Sequence, residues 1–147
     1  MYKQILLAYD GSSSGQKALV ESRELAQWSG ASLTLVAVVP NLIEAAALEP
    51  SFFELRMGEA EAAQVRERLA EGLARLKALG FEAQCEVLQG EVIHQITEHA
   101  QRIGADLIVV GHRHEKSMLR RWWSGSTARS LVEEAPCSVL IVVSQEP

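Results

Sequence analysis

Five apolar runs of strand length punctuate this chain, at residues 3–9, 33–39, 81–88, 106–111 and 138–143, and a helical stretch separates each from the next. Most are apolar on both faces rather than alternating, so both sides of each strand need cover. A strand–helix–strand series meets that need as a parallel sheet with helices on both faces. The expectation is therefore an open five-stranded α/β fold. With strand order 3-2-1-4-5, strands one and four lie side by side where the order reverses. Ligands of such sheets sit outside the carboxyl ends of the strands at that point. Asp10 and Gly111 end those two strands, which predicts that they face each other across the crevice.

The intervening segments carry helix signals. Ser12 or Ser13 can cap the first helix, Ala18, Ser22, Leu25 and Ala26 form its inner face, and Gly30 stops it. Residues 52–79 are helical, with Val65, Leu69, Leu76 and Leu79 on one stripe, a Glu71–Arg75 pair at i,i+4 spacing, and Gly80 as the stop. The run at 81–88 is more polar and suits an edge strand. Ile93, Ile96, Ala100 and Ile103 give the third helix its inner face before Gly104, and Pro136 ends the last helix. The connection at 41–51 is irregular or partly helical.

Composition narrows the class. A hydrophobic fraction of 48% with 22% charged residues suits one globular domain spanning residues 1–147. No apolar run approaches the roughly 20 residues of a membrane helix, and the amino terminus enters a strand at once, so neither a membrane span nor export is expected. Cys85 and Cys137 form no motif and suit a reducing cytoplasm, as buried thiols acting like small hydrophobes. The net charge of −5 argues against a nucleic-acid partner. Against that acidic background, Arg113, Lys116, Arg120, Arg121 and Arg129 cluster after Gly111, which suits a small anion.

Glycine, then cations, then Gly125-Ser126-Thr127 opening a helix is a physical recipe for phosphate. Small residues let the backbone approach, and free N–H groups at a helix start point at the anion. Each residue also has a plainer role. Asp10 either accepts hydrogen bonds from a ligand in the crevice, or turns the chain into the first helix. Gly125, Ser126 and Thr127 either bind phosphate or only cap a helix. The loop cations either clamp phosphate or face water, and Trp122-Trp123 either stack on a base or pack at an interface. His112-x-His114 lacks a third ligand, since His94 and His99 lie on a different helix, so no metal is expected. Gly11-Ser-Ser-Ser-Gly15 fits the nucleophile-elbow pattern, but no later Asp–His pair is placed to serve it.

Together these residues resemble the universal stress protein family over essentially the whole chain. The resemblance is carried by Lys3-Gln-Ile-Leu-Leu-Ala-Tyr-Asp10-Gly-Ser, Val-Ala-Val38, Gly90-Glu-Val-Ile, Gly104-Ala-Asp-Leu-Ile-Val-Val-Gly111 and Ala135-Pro-Cys-Ser-Val-Leu-Ile-Val142. It implies a five-stranded parallel domain, usually a homodimer paired through its last strands, here Val139 to Val143. The family divides into members that bind ATP and members that do not. The binders carry Gly-x2-Gly-x9-Gly-Ser/Thr, with an Asp and a Val holding ribose and adenine. Position by position, Asp10 matches that Asp, Val38 the Val, Gly111 the first glycine, and Gly125-Ser126 the closing pair. Two departures stand out: His114 replaces the second glycine, and ten residues rather than nine separate it from Gly125.

The expected function is a cytoplasmic stress-response regulator that binds an adenine nucleotide at the carboxyl edge of the sheet. ATP is the first expectation, with AMP or ADP as alternatives and Mg2+ only as the nucleotide's companion. Asp10 and Val38 would hold the nucleoside. Gly111, Arg113, His114, Gly125, Ser126 and Thr127 would lie at the phosphates. No general base stands out, so turnover should be slow or absent. The alternative is a dimeric interaction module of the same family that binds no nucleotide.

Overall fold

The computed structural model describes the backbone of residues 1–39, 52–113 and 125–144, and their side chains outside 52–58, 113 and 125–128. The 41–51 connection, His114, Lys116, Arg120, Arg121, Trp122 and Trp123 lie outside the described residues. The strands are β1 (Gln4–Ala8), β2 (Ser32–Val39), β3 (Gln84–Gln89), β4 (Leu107–Arg113) and β5 (Ser138–Ser144). All pair in parallel, in the order β3-β2-β1-β4-β5, as the sequence predicts. The helices are α1 (Ser13–Ser29), α2 (Phe52–Ala78), α3 (Val92–Ile103) and α4 (Gly125–Glu134).

Right-handed crossovers decide which helix covers which face. The steps through α1 and α2 travel one way along the sheet, and those through α3 and α4 travel back, so the pairs lie on opposite faces. Accordingly α1 packs with α2, and α3 with α4. Cover on both sides explains why the consecutive residues Ile5, Leu6 and Leu7 all have 0% exposure. Ile108 and Val109 repeat the pattern in β4.

Local corrections have physical causes. β4 runs two residues past Gly111 because β5 keeps pairing with it, His112 opposite Val143 and Arg113 opposite Ser144. β3 starts later than expected, because the Phe81 N–H donates to the Leu76 carbonyl at 2.9 Å and completes the turn out of α2. Val65, Leu69 and Leu76 are buried as predicted, but Leu79 falls beyond the last turn and is 47% exposed. Glu71 and Arg75 do not pair; Arg75 instead donates to Oε1 of Gln16 on α1 at 2.8 Å. Cys85 is exposed on the edge strand and Cys137 only half-buried, so neither is the buried thiol expected.

Asp106 ties the amino ends of β1 and β4 together. Its Oδ2 accepts from the Lys3 N–H at 2.8 Å and its Oδ1 from the Gln4 N–H at 3.0 Å. Burial pushes this carboxyl up, but the N–H bonds from Lys3, Gln4 and its own backbone, with the amino-terminal charge, outweigh it and hold the group below its ordinary pKa. A carboxyl depressed in the folded state stabilises fully above its unfolded pKa of about 3.9 and loses that contribution as pH falls through the folded value. Asp106→Ala is expected to cost about 1 kcal/mol near neutral pH, a modest figure because the group is partly exposed. In urea unfolding, the gap from wild type should narrow below about pH 4. A gap that persists unchanged in acid would show that the charge contributes nothing.

The length of α2 shapes the carboxyl edge. Its 27 residues span about 40 Å, whereas the eight residues of β2 span about 26 Å. A Cβ placed on Gly72 would lie 2.8 Å from Cε1 of Tyr9, which sets residue 72 level with the end of β1. The turns of α2 before Gly72 therefore rise past the end of β1 alongside the longer β2, where Val65 and Leu69 are buried.

Candidate functional site

The chain leaves β1 with the Tyr9 N–H donating to the Val36 carbonyl at 2.9 Å, then turns at Gly11, whose φ of 78° a residue with Cβ adopts only under strain. This turn folds the Asp10 carboxylate onto the start of α1. Its Oδ1 accepts from the Ser12 N–H at 3.0 Å and from the Ser12 hydroxyl at 2.5 Å. Ser12 is the N-cap, its Oγ accepting from the Gly15 N–H at 3.0 Å and lying 3.0 Å from the Ser14 hydroxyl. The turning role of Asp10 is thus present, through one oxygen, and Oδ2 carries neither bond. Ser12 and Ser14 of the Gly11–Gly15 turn thus belong to this cap.

Tyr9 lies beneath the turn, 2% exposed. Burial raises its phenol pKa; Arg75 opposes the rise, and Asp10 and Glu71 add to it. The phenol therefore stays protonated at ordinary pH and brings no charge to the site.

Gly111 meets the same turn from β4. A Cβ there would lie 2.8 Å from the Gly15 backbone nitrogen and closer still to the Ser14 carbonyl. Strand and helix backbones touch at this point, which is one of the recurrent reasons for glycine inside a strand. Asp10 and Gly111 therefore converge on the Ser12–Gly15 turn at the switch point. Val38 is fully buried in β2, its backbone opposite Leu88 of β3, so its side chain belongs to the core. Arg113 closes β4 opposite Ser144.

Gly125, Ser126 and Thr127 are the first three residues of α4. The chain leaves β4 at its carboxyl end and enters β5 at its amino end, so α4 begins at the same edge of the sheet as α1. Two helix amino termini, each with the partial positive charge of a helix start, thus share that edge. Among the described residues no three His, Cys, Asp or Glu side chains gather as a metal site. His94 lies 3.1 Å from Glu98, and the buried His99 lies 3.4 Å from Glu86.

Two neighbours of the site were not singled out from the sequence. Ser12 entered only as a cap, although Asp-Gly-Ser is a local pattern in which the acid can bond the residue two positions on. Arg68 comes from α2, and its stem lies against Gly11; only the packing register of α2 reveals it.

A doubly wound parallel sheet with a strand-end carboxylate and two helix starts at its switch point defines a small α/β domain of the open-sheet class. Residues 1–143 match the model of the universal stress protein family, and the chain belongs to that family. It is similar to a universal stress protein of Thermus aquaticus, 35% identical with 97% of this chain and 99% of that one covered. A solved family structure from Burkholderia pseudomallei shares 29% identity at a TM-score of 0.75, covering 96% of each chain. One from Lactobacillus plantarum shares 26% at 0.78, covering 96% of this chain and 97% of that one. Among the described residues no helix is long and apolar enough to cross a membrane.

Proposed function

We propose that this chain is a single-domain, cytoplasmic stress-response regulator that binds an adenine nucleotide, ATP foremost, in the crevice between β1 and β4. The observation that carries the reading is the convergence of Asp10, the capped first turn of α1 and Gly111 at the switch point. Solved structures of the same fold support the ligand class. One universal stress protein is in complex with cAMP, one from Archaeoglobus fulgidus with dAMP, and one from Arabidopsis thaliana has AMP bound. Adenine on a sugar phosphate is common to the three ligands.

Asp10 Oδ2 would accept from the ribose hydroxyls, and the backbone of Val38 would border the base. Gly111, Arg113, His114, Gly125, Ser126 and Thr127 would surround the phosphates, with Mg2+ entering only alongside them. These groups hold an anion without activating a water, so turnover would be slow or absent. Calorimetry with ATP, ADP, AMP and adenosine tests the reading, which expects saturable binding in the submillimolar range. Neither heat nor a melting shift at millimolar ATP would favour the alternative, a family member that acts only as a dimeric interaction module.

The same protein would be a homodimer through β5, an edge strand with an unpaired side. Val143 is 38% exposed on it, and a shallow recess beside it is lined by Glu21, Glu24, Leu25, Trp28 and Leu140, with Trp28 72% exposed. A second copy pairing there would cover this apolar surface. Sedimentation should then give the mass of two chains; a single-chain mass would refute the pairing.

A further inference from the structure

Arg68 sits on α2 one turn before Gly72, and so just past the end of β1. A Cβ on Gly11 would lie 3.1 Å from Cδ of Arg68, 3.2 Å from Cγ and 3.3 Å from Cβ. The arginine stem therefore lies across the turn that follows Asp10, in tight contact with it. The side chain is half-buried, yet its guanidinium has no hydrogen-bond or ion-pair partner among the described residues. Arg75, two turns further along the same helix, is by contrast engaged with Gln16. A guanidinium carries only donors, on a planar cation, and that of Arg68 is committed to no acceptor within the described fold.

The fold also says which end of the crevice Arg68 borders. α2 packs on β2 and β3, whereas α4 joins β4 to β5. Arg68 is therefore on the β2 side, the nucleoside end, and not beside the Gly125–Thr127 helix start.

The geometry points to Arg68 as a ligand-contacting residue that lays its planar guanidinium against the base next to Asp10. An arginine plane suits an aromatic face, through both stacking and cation–π attraction. This assignment rests on the nucleotide reading above.

Arg68→Met keeps an apolar stem over Gly11 and removes the charge. It is expected to weaken ATP, AMP and adenosine by a similar factor, about tenfold, with an unchanged melting temperature for the ligand-free protein. Arg68→Lys, which retains charge without the plane, should recover only part of the loss. Equal affinity of Arg68→Met and wild type would overturn the assignment and leave the nucleotide reading standing. A loss that grows from adenosine to ATP would also overturn it, by placing the residue at the phosphates. A wild-type protein that binds none of the three would remove the nucleotide reading, and this inference with it.

Discussion

Gly111→Ala is expected to lower the melting temperature by about 10 °C, equivalent to about 3 kcal/mol. The added methyl would meet the Ser14 carbonyl and the Gly15 nitrogen, which are backbone atoms fixed in the first turn of α1. No rotamer change can relieve that contact. Either β4 or the whole start of α1 must move, and both are anchored in the core, where Val110 is 1% exposed and Ala18 0%. The same displacement would shift Ser12 and, through it, Asp10, so ligand affinity and stability should fall together. A melting change within a degree or two would mean that α1 withdraws freely and that Gly111 is no point of close packing.

The second large effect belongs to Asp10. Asp10→Ala is expected to weaken ATP binding by a factor on the order of 10 to 100, the range for losing hydrogen bonds to a charged acceptor. It should also destabilise the ligand-free protein by about 1 kcal/mol, because the Ser12 N–H and hydroxyl lose their acceptor. Asp10→Asn separates the two roles. Its amide oxygen can still receive the Ser12 donors and keep the turn, while the negative acceptor for ribose is gone. Stability near wild type with affinity still reduced is the expected pair of results. Calorimetry and thermal melting of the two variants read this directly, and an Asn variant that binds like wild type would move the nucleoside away from residue 10.

The sheet was legible because its evidence is local. Runs such as Ile5-Leu6-Leu7 have no polar face to spare, and Gly30 and Gly104 stop their helices within a residue of the expected place. The errors fell where tertiary partners decide. Gly111 reads as a strand end in one dimension, but β5 carries the pairing past it. Leu79 continues the apolar spacing of α2 and yet lies outside the helix, because the chain has already turned toward Phe81. Cys85 looks like a small core residue until β3 is seen as an edge strand.

The site divides the same way. The turn at Asp10 could be read from the sequence because a strand end, a glycine and a serine cap are consecutive. The contact of Gly111 with α1 joins residues almost a hundred positions apart, and that of Arg68 with Gly11 depends on the register of a long helix. Burial of the Val38 side chain follows from helices on both faces, which leaves its backbone as the part able to meet a base.

The central claim is that this crevice holds an adenine nucleotide. Mass spectrometry of small molecules released by denaturing freshly purified protein tests it most directly. The account predicts ATP, ADP or AMP in the released fraction of the wild-type protein, and its depletion from the Asp10→Ala variant. Wild-type protein that releases no adenine nucleotide, and takes none up on incubation with ATP before desalting, would contradict it.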